Sequence, residues 1–300
     1  MRVLVIGAVN MDIGARSHAA LVSGDSNPGK VTTSLGGVGR NIAHNLCLLG
    51  VETAMLTVLG EDDFAQAIRR NAVEIGLDLS LSAVIPGGHT STYLYIDDCD
   101  GDMALAVNDM AIYEYITPAF LKAQIDAINA FDMVVLDANP PEESIRWLCE
   151  NCMVPIICDP VSAIKAQKLR GILGQLYALK PNRMEAEMLT GESEPAKMAE
   201  KLLAAGLQKV FISLGADGIY AASAEGECCT IPCPHIEVAN ATGGGDAMTA
   251  ALTACLLRGD SLTDTARNAI AAGAFACTAE STIHPGMSWA NIERIRNEIH

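Results

Sequence analysis

Asn240-Ala241-Thr242-Gly243-Gly244-Gly245-Asp246, running into the small-residue stretch Ala247 to Leu257, decides how this chain is read. Three glycines in a row free the backbone to take positive φ and to turn its N–H groups toward one point. The helix expected to start there adds the positive end of its dipole. The stretch therefore predicts an anion hole at a helix mouth, with Asp246 standing in it. A carboxylate adds nothing to anion binding, but it can take a proton from an alcohol that attacks a phosphoryl group. A glycine hinge with an aspartate capping a helix gives the same string, and the stretch alone leaves both readings open.

The 300 residues, half of them apolar, suffice for one large core with a small appended piece. A formal net charge of -16 argues against a nucleic-acid polymer as partner, since affinity for a phosphate backbone comes mainly from Lys and Arg. A small anion such as a nucleotide stays compatible, because backbone N–H groups, one or two cations and Mg²⁺ can outweigh the overall field locally. Met1 to Ala8 is basic then apolar, but Asn10 and Asp12 interrupt it, so a strand is expected there rather than a secretion signal. No apolar run reaches the roughly eighteen residues of a membrane span. No membrane partner and a cytoplasmic location are expected, with the ten cysteines as reduced thiols. Cys149 and Cys152 have metal-ligand spacing but fall in a helical stretch, and Cys228, Cys229, Cys233 and His235 supply no second well-spaced pair.

Arg2 to Val9 reads as a buried strand, with Asn10 and Asp12 at its C-terminal end, either as hydroxyl binders or as plain turn residues. Ser17 to Ser34 is polar and irregular and reads as an excursion from the main sheet. Gly36-Gly37-Val38-Gly39-Arg40-Asn41 opens a helix that stops at Gly50; its glycines either admit a ligand close to the backbone or simply loosen the helix entry. Thr53 to Leu59 predicts a strand, and Asp62 to Ile75 a helix closed by Gly76. Ser91 to Ile96 and Met103 to Val107 are short and β-like around the turn Asp97 to Asp102, giving a second, smaller sheet. Such a piece must lean on the main domain or on a second copy of itself. After Asn108 helices and strands alternate, which predicts an α/β fold with a doubly wound, mostly parallel sheet. The strands Phe131 to Leu136, Val154 to Cys158, Ala178 to Leu179 and Val210 to Leu214 bring polar residues to one edge: Asp137 and Asn139, Asp159, Lys180-Pro181-Asn182, and Ser213. Asn182 and Glu185, three apart at a helix start, suit either a metal with its waters or an ordinary capping box.

Taken together these patterns resemble the ribokinase-like (PfkB) carbohydrate kinase family. Gly36, Gly37, Gly39, Asn41, Ala43, Gly50 and Gly60 fall where the family's first motif has its glycines, asparagine and small residues. Thr242 to Asp246 matches its second motif, Asn182 and Glu185 its Asn-x-x-Glu element, and Ser213 to Gly218 its nucleotide-side turn. The likeness spans residues 1–300 and implies one kinase domain, with a lid formed within it by about residues 14–35 and 79–110. Words such as Ser17-His18, Asp25 to Lys30, Asn108-Asp109-Met110 and Asp159 to Ala163 are similar to the branch of the family that acts on pseudouridine.

The resemblance implies that Asp246 takes the proton of a sugar 5′-hydroxyl while the Gly243, Gly244 and Gly245 amides hold the transferring phosphoryl group. Asn10, Asp12, Gly36, Gly37, Asn41 and Asn139 would bind the sugar. Apart from the resemblance, a site selective for pseudouridine needs an acceptor for its extra ring N–H. Ser26 and Asn27 in the excursion and Thr92 and Asn108 on the lid side are the candidates, with Lys165 as partner of a uracil carbonyl and plain solvated lid polarity as the other reading. Ser213, Gly215, Gly218 and Asn268 would line the ATP side, with Asn182 and Glu185 organising Mg²⁺. Many family members open the second motif with Asp-Thr, whose carboxylate helps hold a monovalent cation such as K⁺. Here Asn240-Ala241 stands instead, and an amide offers no charge. A homodimer through the lid is expected. Competing readings are another ribonucleoside or pentose as acceptor, and a silent nucleoside-binding protein. Asp246, the glycine loop and the Asn182/Glu185 pair speak for catalysis.

Overall fold

The computed structural model describes residues 1–299. Its main sheet has eight strands, in the spatial order Cys228–Ile231, Ile219–Ser223, Lys209–Ser213, Ala178–Leu179, Ile156–Asp159, Met133–Asp137, Arg2–Ile6 and Glu52–Leu56. From Lys209–Ser213 to Glu52–Leu56 every pair is parallel. The first two strands in that order are antiparallel additions that the alternation of helix and strand did not predict.

Alternation along Arg2–Ile6 shows why the sheet is covered twice. Leu4 and Ile6 enter a core on one face with Leu136, Ile145, Leu148 and Met198. Val3 and Val5 enter a core on the other with Ile42, Leu46, Ile68 and Leu252. Successive side chains of a strand point to opposite faces, so a run apolar at every position needs helices on both sides. The helix Asp63–Ile75 follows its expected chemistry, with the Asp62 side chain accepting from Ala65 N at 2.9 Å and Gly76 closing it in the left-handed region.

The smaller sheet has the order Gly29–Gly36, Asn10–Ser17, Thr92–Asp97, Met103–Asp109. Of residues 17–34, expected to be irregular, 18–28 are turn and coil as expected, while 29–34 belong to the strand Gly29–Gly36, which pairs antiparallel with Asn10–Ser17. Asn10 and Asp12 thus sit on the smaller sheet rather than at the end of a main-sheet strand, because the chain turns at Gly7-Ala8-Val9 with no polar break to mark it. The turn at Asp98 is as expected, its carboxylate accepting from the amides of Asp100, Gly101 and Asp102.

Asp137 holds this junction together. Fully buried, it accepts from Ala8 N at 2.8 Å and Gly39 N at 2.9 Å through one oxygen, and from Asn139 N at 2.9 Å through the other. Three segments are fixed by one side chain: the exit of the first strand, the entry of the helix Val38–Leu48 and the loop after Met133–Asp137. Asp137→Ala strands three buried donors and is expected to cost about 3 kcal/mol in urea unfolding; a loss below about 0.5 kcal/mol would show that water takes over those bonds.

Candidate active site

The helix Gly244–Arg258 begins directly at the glycine loop. Gly243 is its N-cap at φ 89°, and a side chain there would overlap the Thr282 carbonyl oxygen. Positive φ is confined to Gly243 among the three glycines; Gly244 and Gly245 are already helical. Their amides belong to the first turn, which has no intrahelical acceptor and faces outward with the dipole. Small size is required at Gly244 for another reason: a Cβ would lie 2.8 Å from Cys277 Sγ, on the neighbouring helix end. At Gly245 a Cβ would point at Lys180 Nζ, 3.2 Å away.

Asp246 follows in the same turn, and Asn41 Nδ2 donates to its Oδ2 at 2.8 Å. Burial, then the charge of Asp159, pushes its carboxyl up to about 7, against the pull of the Asn41 bond and of Lys180. A carboxylate near neutrality is suited to accepting a proton at physiological pH.

On one side of this helix mouth lies a cavity of about 590 Å³. Asn182, Ser213, Gly215 and Gly218, all expected on the nucleotide side, line it together with Gly244, Gly245 and Lys180. Gly215 and Gly218 both have positive φ in the tight turn after Lys209–Ser213, which lets the backbone itself form the cavity wall. Asn268 does not reach it. It is buried on the helix Leu262–Ala276, donating to Cys255 and accepting from Arg296 at 3.3 Å, so its expected nucleotide role is corrected to a bond within the core.

The other side carries the residues expected to meet a sugar. Asn10 Nδ2 donates to Asp12 Oδ1, and Gly36 lies so close that a Cβ would overlap the Asp12 carboxylate. Burial raises the Asp12 carboxyl to about 6, moderated by the Asn10 bond and by Arg40. Gly37, at φ 96°, packs against the Ala8 carbonyl and delivers Asn41 to Asp246. Asn139 is linked to the same junction through Asp137 and accepts from Lys165 Nζ at 2.6 Å.

Of the residues expected to read a base, strand register separates Thr92 from Asn108. Asn10, Asp12, Tyr93, Tyr95 and Asn108 share one face of the smaller sheet, whereas Thr92 lies on the opposite face with Ile13, Leu94 and Val107. Thr92 is therefore corrected to the face away from Asp12. Asn27 sits in the turn beyond Ser17, its amide spent on three bonds to Val22 and Asp25, and is not brought to the cluster. No pattern in the sequence marks the neighbouring tyrosines Tyr93 and Tyr95, whose rings lie 5.8 Å apart; Gly14 leaves room for Tyr95, whose ring a Cβ would meet at 2.5 Å.

Asn182 and Glu185 form the reciprocal capping box, with Asn182 N donating to Glu185 Oε2 at 2.8 Å and Glu185 N donating to Asn182 Oδ1 at 2.9 Å. Glu185 Oε1 stays outside the box, and the carboxyl feels the charges of Asp159 and Lys180. One free carboxylate oxygen fits Mg²⁺, which keeps most of its waters and takes further oxygens from phosphates; among the described residues no three acidic, Cys or His side chains converge as a closed cage. Asn240 fits K⁺ poorly: its NH₂ donates to the Glu280 carbonyl and its oxygen accepts from Thr242 N, each at 2.9 Å, so the loop spends its acceptors internally. Among the described residues no helix is long and apolar enough to cross a membrane.

The pattern described as pfkB family carbohydrate kinase matches residues 1–290. The chain is 38% identical to the pseudouridine kinase of Escherichia coli (strain K12), over 97% of this chain and 95% of that one. Its structure superposes on a carbohydrate kinase from Agrobacterium tumefaciens with TM-score 0.89 at 29% identity, covering 99% of this chain and 97% of that one. With an Arabidopsis thaliana ribokinase complexed with ribose and ATP the TM-score is 0.84 at 20% identity, covering 98% of each, a likeness of fold.

Because Asp246 must be deprotonated to act as a base, turnover is expected to rise with pH and level off above about 7. Asp246→Asn should retain binding and lose roughly 10²- to 10⁴-fold in kcat at the plateau. A kcat/KM profile with its acid limb near pH 4, or an Asn variant impaired only in KM, would contradict this role.

Proposed function

We propose that this chain, which belongs to the pfkB family of carbohydrate kinases and is an ATP-dependent sugar or nucleoside kinase, phosphorylates the 5′-hydroxyl of pseudouridine. The observation that carries the reading is the position of Asp246. It is tied by Asn41 to the sugar-side cluster and shares a helical turn with Gly244 and Gly245, which line the cavity proposed for ATP. The sugar hydroxyl is proposed to be held by Asn10, Asp12 and Asn41 so that O5′ faces the γ-phosphorus. As the new O5′–P bond forms, the bond from γ-phosphorus to the bridging oxygen breaks and its electron pair leaves with ADP. The O5′ proton passes to Asp246. The loop amides and the dipole of the Gly244–Arg258 helix stabilise the charge on the transferring group. Glu185 and Asn182 would hold Mg²⁺, through water, and the ion would screen the phosphate charges; K⁺ has no part in this scheme.

A nucleoside is favoured over a bare pentose by Tyr93, Tyr95 and Asn108, which extend the Asp12 face outward and give a planar base apolar surface beside a polar group. Lys165, bonded to Asn139, is the proposed partner of a uracil carbonyl. Pseudouridine differs from uridine by a ring N–H where uridine has C–H, so an acceptor built for that N–H is left unpaired by uridine. That asymmetry is worth about 1–3 kcal/mol, or roughly ten- to over a hundred-fold. Pseudouridine is therefore expected to exceed uridine, adenosine and ribose in kcat/KM by at least about tenfold in a competition assay with ATP. Equal values would remove the pseudouridine assignment.

The smaller sheet is proposed to act as a lid and as the contact of a homodimer. Its outer face carries Val31, Leu94, Leu105 and Val107, exposed by 67, 38, 56 and 59%, an apolar surface of the kind a second copy covers. Light scattering at micromolar concentration is expected to give a dimer mass, and Leu105→Lys with Val107→Lys a monomer. A wild-type monomer would refute the contact.

A further inference from the structure

Arg40 is the one charged side chain in the stretch Gly36 to Asn41. It lies on the helix Val38–Leu48 directly before Asn41 and is 8% exposed. Its guanidinium donates to acceptors on three elements: Nη1 to the Leu35 carbonyl at 3.2 Å and to Asn41 Oδ1 at 3.3 Å, and Nη2 to Asn71 Oδ1 at 2.8 Å. Nε has no partner, and among the described residues no carboxylate stands within ion-pair distance of Arg40. Burial lowers the guanidinium to about 10, with the charge of Asp12 pulling it back up, so it stays charged at neutral pH.

A buried cation held only by carbonyl oxygens is a poor way to join two helices. An apolar side chain of similar size would fill the position without the cost of desolvating a charge. The bond to Asn41 gives the charge a purpose. An amide has an oxygen and an NH₂ of nearly the same shape, and the two exchange freely unless their neighbours differ. Here they differ: a guanidinium has no acceptor and an ionised carboxylate has no donor. Only one orientation, with Oδ1 toward Arg40 and Nδ2 toward Asp246 Oδ2, satisfies both.

We infer that Arg40 is a positioning residue that fixes which end of the Asn41 amide faces Asp246. That this serves phosphoryl transfer rests on the reading of Asp246 as the base, although not on the identity of the acceptor. An NH₂ donated to Asp246 favours the ionised carboxylate, the form that can take a proton. A turned amide would present Oδ1, which accepts from the protonated form and favours that form instead. Without Arg40 the amide is free to turn, and the base is ionised over a narrower range of pH. The other charged groups around Asp246 sit at strand ends: Asp159 and Asp137 push its carboxyl up and Lys180 pulls it down. On the side of Arg40, His44 is lowered to about 4 by burial and then by Arg40 and is neutral over the range concerned, while the Asp12 carboxyl shares the charge of Arg40.

The test follows the Asp246 carboxyl directly, by carbon-13 NMR of the full chain labelled at its aspartate carboxyls, with Asp246→Asn identifying the signal. The wild-type midpoint is expected near 7. In Arg40→Met it should lie about one pH unit higher, a tenfold change in proton affinity. Asn41→Ala should raise it too, and Arg40→Met added to Asn41→Ala should raise it no further, because the amide through which Arg40 acts is gone. Arg40→Met leaves the Asn71 oxygen unmet and risks the fold. Arg40→Met/Asn71→Leu, which removes both ends of that bond, is therefore measured beside it, with unchanged ATP affinity as the sign of an intact fold. An unmoved midpoint in both Arg40 variants overturns the inference. So does a further rise when Arg40→Met is added to Asn41→Ala, which would mean that the charge acts across space or through Asp12. None of these readings needs turnover. Full kcat in Asp246→Asn would sink the base reading and leave the coupling of Arg40 to Asp246 standing.

Discussion

The whole site depends on the depth at which one helix is set. Gly244–Arg258 is buried along nearly its full length and packs on Leu262–Ala276 through alanines and glycines. Gly244 faces Cys277, and Gly273 faces Met248 so closely that a Cβ on Gly273 would stand 2.5 Å from Met248 Cγ. Close-packed small residues leave such a pair little freedom to slide. The first turn therefore projects at a fixed height between the nucleotide cavity and the Asp12 face, and Asp246 meets Asn41 only because of it. A side chain larger than hydrogen at Gly244 would lift the turn off its neighbour and move the proposed base and the proposed anion hole together.

Charge is arranged around that turn against the sign of the molecule. The chain carries a formal -16, yet the helix end and Lys180 place positive potential where an anion is proposed to bind. Asp159 serves both charged neighbours: it pairs with Lys180 and raises Asp246 toward neutrality. The buried pair is not a stabilising device in itself, since desolvation offsets much of its attraction. Its placement at the cavity edge sets a positive charge beside the proposed anion site.

Local chemistry was legible in the sequence and long-range placement only partly so. The Asp62 cap and the Asn182/Glu185 box could be named from spacing, because caps act within a few residues. For Asn182 and Glu185 the capping box is what the structure shows, and because the box uses only Oε2 of Glu185 the metal reading stays compatible with it. Asn10 and Asp12 follow the first strand as expected, but that they open a strand of the smaller sheet is not legible, because Val9 runs into Asn10 with nothing to signal the turn. Thr92 was grouped with Asn108 because polarity does not reveal strand parity; only the pairing of Thr92 with Met11 does. The strands Ile219–Ser223 and Cys228–Ile231 went unread, being short antiparallel additions to an edge. Lys180 stood in plain view at a strand end, but its approach to Gly245 joins positions 65 residues apart in sequence, and no pattern encodes that.

The proposed reaction puts the phosphate on a primary oxygen, and that is where it is most directly tested. Phosphorus NMR of the product formed from ATP and pseudouridine, recorded without proton decoupling, reports the carbon that bears the ester. A triplet from the two H5′ protons is the expected signal, since the proposed site sets O5′ against the γ-phosphorus and gives its proton to Asp246. A doublet from a secondary position, or inorganic phosphate with no sugar ester, would contradict the account.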